Sequence, residues 1–172
     1  MKFEGLKVFE DEERKLCRSS DYNFSFDKKT GFFARWGKTK DDDPVYAPSP
    51  EILDIEISTI CNGVNGKPCP WCYKSNTGQG TNMNLETFKV VLKKINPLGI
   101  LTQVALGIGD IDSNPDLFPI MKHCRESGVI PNLTINGWNL QDKCADELAR
   151  LSGAVAVSHY YDDNVCFDAI KK

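Results

Sequence analysis

The chain has 172 residues, 41% hydrophobic and 26% charged, with a formal net charge of −3. That length holds one ordinary domain and a small appendage, and that composition buries a core, which argues against a disordered chain. The acidic balance argues against a broad non-specific nucleic-acid surface, no apolar run approaches the roughly 20 residues of a membrane helix, and Met1–Lys7 lacks the apolar stretch of a secretory signal.

Residues 1–50 read as an extension and 51–172 as a βα-repeating domain. The charged stretch Phe9–Arg18 reads as a short helix or loop. Tyr22–Phe26 then alternates aromatic with polar residues, as a half-buried strand does. Asp27–Gly31 is turn chemistry and Phe32–Trp36 is the returning strand, so 22–36 is expected to form a β-hairpin. Asp41–Pro44 and Ala47–Pro50 break the pattern and mark the boundary.

Ile52–Ile57 is the first strand of the repeat. Leu53, Ile55 and Ile57 fall on one face, Asp54, Glu56 and Ser58 on the other. A cysteine-bearing loop follows. Asn84 is the expected N-cap of a helix that puts Phe88, Val91, Leu92 and Ile95 on one stripe and ends at Pro97 and Gly99. Thr102–Leu106 is a second strand. Asn114-Pro115 opens a second helix, lined by Leu117, Ile120, Met121 and Cys124 and closed by Gly128. Ile130–Ile135 is a third strand, Gln141–Leu151 a third helix and Ala154–Ser158 a fourth strand. Asp163 or Asn164 caps a fourth helix.

Alternating strands and helices make a parallel sheet joined by right-handed crossovers, with its chemistry at the carboxyl ends of the strands. Cys61 follows the first strand, Gly107–Asp110 the second, Asn136-Gly137 the third and Ser158-His159 the fourth.

The chain carries seven cysteines, an odd number that a closed disulfide framework would not use up. Cys17, Cys124, Cys144 and Cys166 are scattered, and Cys124 and Cys144 sit on apolar helix stripes as small core residues. Cys61, Cys69 and Cys72 cluster in the loop after the first strand as Cys-x7-Cys-x2-Cys. Four readings compete for them. They are incidental loop thiols; or Cys69-Pro70-Trp71-Cys72 is a dithiol redox pair. Alternatively they are three ligands of a zinc-stabilised, non-catalytic α/β binding module, which needs a fourth ligand from elsewhere. In the fourth reading, three thiolates hold an iron–sulfur cluster and leave one iron open to an exogenous ligand.

At this point the sequence resembles the radical S-adenosylmethionine (radical SAM) superfamily, which has three cysteines after the first strand of a βα barrel and an aromatic residue, here Trp71, just before the third. The family's commonest spacing is Cys-x3-Cys-x2-Cys, so the first interval here is four residues longer; Gly63 or Gly66 is placed to bulge it outward. The Trp71-Cys72-Tyr73-Lys74 stretch is similar to that of uncharacterised, phage-type members. The resemblance implies a 4Fe–4S cluster on Cys61, Cys69 and Cys72, and SAM on the open iron. It implies SAM contacts from Trp71, from the glycine-rich segment Gly107, Ile108, Gly109 and Asp110, and from Asn136 and Ser158. Thr134 fits the same role by position. The implied activity is reductive cleavage of SAM to a 5′-deoxyadenosyl radical that abstracts hydrogen from an unknown substrate. The implied partner is an electron donor such as flavodoxin or ferredoxin, in the cytoplasm, with no membrane.

The family core has six βα units, and four fit here. The expected fold is therefore an incomplete, partial TIM-like barrel of about four parallel strands with an N-terminal β-hairpin extension. A truncated core would leave an open sheet edge, for a complementing chain or for self-association. Gly107 and Gly109 are expected to let backbone approach a ligand, and Asp54 and Glu56 to form a polar floor beneath the cluster loop. Lys74 reads as a solvated lysine or as a contact for an acidic ligand group. His123 reads as surface, His159 as structural or substrate-facing, Phe32, Phe33 and Trp36 as hairpin core, and Asp41–Asp43 as a solvated loop.

Overall fold

A computed structural model of the chain describes residues 3–159 and 163–172. The extension forms four strands: β1 (Lys7–Glu10), β2 (Arg14–Arg18), β3 (Asn23–Asp27) and β4 (Phe33–Trp36). They pair in sequence order as an antiparallel meander. The expected hairpin is its second half, and the expected helix or loop at Phe9–Arg18 is two strands. The alternation there is disguised because one inward position is a lysine: Lys15 and Cys17 are both buried, while Arg14 and Arg18 are exposed. Asp11 makes the intervening turn by accepting from the backbone N–H groups of Glu13 (2.8 Å) and Arg14 (2.7 Å).

The rest alternates: β5 (Ile52–Glu56), α1 (Leu85–Ile95), β6 (Gln103–Gly107), α2 (Leu117–Glu126), β7 (Ile130–Ile135), α3 (Asp142–Leu151), β8 (Val155–Val157) and α4 (Asp163–Lys171). The sheet order is β5-β6-β7-β8, parallel throughout. Right-handed crossovers between strands taken in that order put the connecting helices on one face. On that face Leu53 and Ile55 pack with Val104, Leu106, Leu133 and Ile135 against Phe88, Leu92, Ile120, Met121 and Leu148. The opposite face is polar and open: Asp54, Thr134 and Ala156 are exposed and Glu56 is half-buried. Strands covered on both faces would read as continuous hydrophobic runs; β5 and β7 alternate because only one face is covered.

Asn84 caps α1 as expected, its side chain accepting from Thr87 N at 2.8 Å. Asn114-Pro115 does not open α2, whose N-cap is Asp116. Asn114 is buried, and its amide donates to the carbonyls of Ile57 (2.7 Å) and Met83 (3.0 Å). These bonds tie the two ends of the cysteine loop to the turn before α2, while the Asn114 side-chain oxygen accepts from Asp116 N at 2.9 Å, two residues short of the N-cap. Capping of α4 by Asp163 lies outside the described side chains. His123 is half-buried rather than on the surface, set edge-on to Phe88 at 6.5 Å.

The meander docks beneath the amino ends of the parallel strands. Cys17, Tyr22, Phe24 and Phe26 share a core with Ile100 and Ile130, and the Lys15 ammonium donates to the Leu101 carbonyl at 2.7 Å. Burial lowers the pKa of Lys15; Glu10, 3.7 Å away, opposes the shift. The Tyr22 hydroxyl donates to Glu51, which also pairs with Arg35 at 3.2 Å. The carboxyl ends, where the cysteine loop emerges, are left clear. Among the described residues no helix is long and apolar enough to cross a membrane.

Candidate functional site

The loop that leaves β5 closes on itself at its base. Thr59 N donates to Thr81 O (3.0 Å), Cys61 N to Thr77 O (2.9 Å) and Met83 N to Ile57 O (2.9 Å). Gly80 sits against the Thr59 backbone, where a Cβ would lie 2.4 Å from the Thr59 carbonyl. The loop thus departs from β5 and returns to α1 through a narrow neck, and Cys61, Cys69 and Cys72 lie beyond it.

The extra residues between Cys61 and Cys69 form a hairpin of their own. Val64 N donates to Lys67 O (3.1 Å) and Lys67 N to Val64 O (3.0 Å). The central residues, Asn65 and Gly66, have φ of 53° and 70°, the pattern of a type I′ turn, for which Asn-Gly is the preferred pair. The hairpin closes tightly at its base: a Cβ on Gly63 would lie 2.8 Å from Pro68 Cα. Residues 64–67 are therefore an excursion. Along the path that bypasses them, Asn62, Gly63 and Pro68 separate Cys61 from Cys69, an x3 interval. Asn65-Gly66 is a strong hairpin signal in the sequence itself; attention to the glycines alone located the bulge without its shape.

Three strand ends meet this loop through Asp110, at the end of β6. Its Oδ2 accepts from Asn62 N (2.6 Å) and Asn62 Nδ2 (3.1 Å), and its Oδ1 from Asn136 Nδ2 (3.0 Å) and, at 3.5 Å, from the Cys61 thiol. Asn136 in turn accepts from Trp138 N at 2.9 Å. Ser58, at the end of β5, is linked to the same turn through Ser113 (3.0 Å), whose hydroxyl donates to the Asp110 carbonyl (2.7 Å). No local pattern singles out Asn62; it matters only because the fold brings Asp110 over it.

The cysteines, Trp71, Ile108, Gly109, Asn136 and Ser158 line one cleft of about 140 Å³, joined by Tyr73, Lys74 and Thr134. The fold thus brings together nominated residues from four separate strand ends, while two others, Gly107 and Asp110, stand outside the cleft's lining. Trp71 is 66% exposed, on the outer rim. The close approaches that Gly107 and Gly109 permit are to this chain itself. A Cβ on Gly109 would sit 2.4 Å from Cys61 Cβ, and one on Gly107 would sit 2.6 Å from Glu56 Oε2. The structure therefore gives these glycines a packing reason beside the expected ligand reason.

Partial burial pushes the Cys61 thiol up to about 11, and the Asp110 carboxylate adds to the shift; the Gly63 N–H, 3.4 Å from the sulfur, opposes it. Cys69 and Cys72 are joined through the backbone, Cys72 N donating to Cys69 O at 3.0 Å, and all seven cysteines are free thiols. Helix α1 starts only at Leu85, so the Cys69–Cys72 pair lacks the adjoining helix N-terminus that activates dithiol redox sites. Among the described residues no group of His, Cys, Asp or Glu is already arranged to hold a metal ion. In kind the donor set fits an iron–sulfur group: three soft thiols on one bent loop lining one cleft.

A second hollow adjoins the first on the open face of the sheet and shares Tyr73, Lys74, Ile108 and Thr134 with it. Asp54 and Glu56 line it, the polar floor expected of them, and Lys74 reaches down to pair with Glu56 Oε2 at 2.5 Å. His159 lies outside both hollows, its ring 6.0 Å from Phe167. Compared with models of known protein families and with functionally curated proteins, the chain matches none.

Proposed function

We propose that the chain is a radical SAM protein, with a 4Fe–4S cluster held by Cys61, Cys69 and Cys72 and SAM seated against Trp71, Ile108, Gly109, Asn136 and Ser158. The observation that carries this reading is the Val64–Lys67 hairpin. With it looped out, the three thiols follow the x3, x2 interval commonest in the radical SAM superfamily that the sequence resembles. Sequential strand order with helices on one face is the winding of a βα barrel, and we read the sheet as an arc of one, open beyond β5 and β8. Further strands from another chain, or a second copy, would extend it at those edges.

When bound, such a pair supplies one-electron reductive cleavage of SAM and a 5′-deoxyadenosyl radical for hydrogen abstraction, with the electron from a flavodoxin- or ferredoxin-type donor. The chain's own residues have narrower tasks. Cys61, Cys69 and Cys72 supply thiolates; Asp110 holds the first of them in place through Asn62; Ile108 gives the cleft an apolar wall and Trp71 stands on its rim. Seven free thiols suit a reducing compartment, the cytoplasm. The zinc-module reading requires a fourth ligand, and among the described residues neither a histidine nor a fourth cysteine lines the cleft.

The test is iron and sulfide analysis after anaerobic reconstitution, on single Cys→Ala variants at all seven positions. Cys61→Ala, Cys69→Ala and Cys72→Ala are expected to lose iron, and the other four to keep it. Iron loss from Cys124→Ala equal to that from Cys69→Ala would sink the three-thiolate site. Colourless protein holding zinc would favour the binding module instead.

A further inference from the structure

The hollow on the open face has a volume of about 390 Å³, within the usual range of small-molecule sites. Its charged side chains are two carboxylates, Asp54 and Glu56, and one ammonium, Lys74. The ammonium is committed to Glu56 Oε2 at 2.5 Å. Glu56 Oε1 is buried and has no hydrogen-bond partner among the described residues. Asp54 is exposed and has no partner among the described residues. Three carboxylate oxygens in the lining therefore have no protein donor among the described residues, one of them buried, and the lining carries an excess of one negative charge. An unpaired carboxylate oxygen at a buried position is costly, and a cationic N–H is its strongest complement. An anionic ligand would meet two carboxylates and a lysine already neutralised.

The hollow also shows that it accommodates an ammonium. Lys74 Nζ lies 5.8 Å from the centre of the Tyr73 ring, within reach of a cation–π contact. Ala105 and Ile108 supply apolar wall, and Ile108 belongs to the cysteine cleft as well.

We propose that this hollow binds the cationic end of the substrate: a primary amine or guanidinium on an aliphatic body that runs past Ile108 toward the cysteine cleft. Lys74 is then an internal competitor, occupying Glu56 until the ligand's own cation arrives. That the ligand is a substrate rests on the function proposed above; that the hollow prefers a cation rests on its lining alone.

The experiment is amide NMR of the full-length, iron-free chain titrated with n-pentylamine, with 1-pentanol and pentanoate as size-matched controls. Pentylamine is expected to shift the Ala105, Gly107 and Thr134 signals saturably, and the two controls to leave them unmoved. Asp54→Asn, at an exposed position without partners, keeps the fold and weakens the amine about fivefold, whereas Lys74→Met strengthens it about threefold. Equal shifts with 1-pentanol, shifts scattered over the acidic surface, or unchanged affinity in Asp54→Asn overturn the proposal. Because no iron enters the titration, failure of the three-thiolate site leaves this result standing. A chain that holds iron yet shows no amine shifts overturns this proposal alone.

Discussion

Asp110 and Asn136 join the carboxyl ends of β6 and β7, Asn136 Nδ2 donating to Asp110 Oδ1 at 3.0 Å while the other carboxylate oxygen holds Asn62 N at 2.6 Å. One side chain thus fixes the first stretch of the cysteine loop to two strands that lie far from it in sequence. Asp110→Ala should cost about 1–3 kcal/mol and release the Asn62 amide to solvent. Hydrogen exchange at Asn62 and urea unfolding check both. An unprotected Asn62 amide in the parent chain would show that the clamp is not formed in solution.

Deleting residues 64–67 should leave the site intact. Gly63 and Pro68 already stand about one peptide step apart, so the cut can be sealed without moving either flank. The expected outcome is unchanged iron uptake and a melting temperature within about 4 °C of the parent, corresponding to less than about 1 kcal/mol. Iron loss on deletion would mean that the hairpin takes part in the site.

Gly109→Val should damage folding as well as any ligand binding. Its Cβ would fall 2.4 Å from Cys61 Cβ and 2.5 Å from the Ile60 carbonyl, and backbone cannot swing aside as a long side chain can. A loss of about 1–3 kcal/mol is expected, read by urea unfolding of the iron-free chain. Normal stability combined with poor SAM binding would return Gly109 to a purely ligand-facing role.

Cys124 is fully buried against α2's neighbours, and desolvation pushes its thiol from the ordinary 9.0 up to about 12. The folded state therefore keeps this proton after the unfolded state has lost it. The resulting stabilisation is complete below pH 9 and drains away as pH rises from there through about 12. Cys124→Ala should lower stability at neutral pH yet flatten the decline above pH 9. Parallel alkaline limbs for the two proteins would contradict that assignment.

The βα half of the fold was legible in the sequence because its signals are short-range. The Asn84 cap, the Ile130–Ile135 run and Gly128 each announce an element locally, and β5 to β8 follow. The meander was half-legible: Tyr22–Phe26 alternates openly, whereas β2 hides behind Lys15, a buried charge satisfied by a carbonyl 86 residues away. Asn114 placed the start of α2 two residues early: its side chain holds the turn at Asp116 N and also donates to Ile57 and Met83, contacts across the fold that a local cap signal does not show. At the site, residue types and strand-end positions sufficed to nominate the cleft's lining. The Asp110–Asn62 clamp and the Lys74–Glu56 pair depend on side chains meeting across the fold, which no spacing encodes.

The docking of the meander bears on the order in which the chain assembles. β1 to β4 close through turns of a few residues, so they form early as the chain is synthesised. Their apolar side, with Cys17, Tyr22, Phe24 and Phe26, has local partners in Phe3, Leu6, Val8, Phe33 and Ala47, but its core is completed by Ile100 and Ile130. Before those two residues are made, the meander lacks the part of its core that the βα half supplies. Docking closes loops on the order of 100 residues, the slowest kind of closure in this molecule. Apolar surface that waits on so distant a closure is the general source of aggregation in partly folded chains.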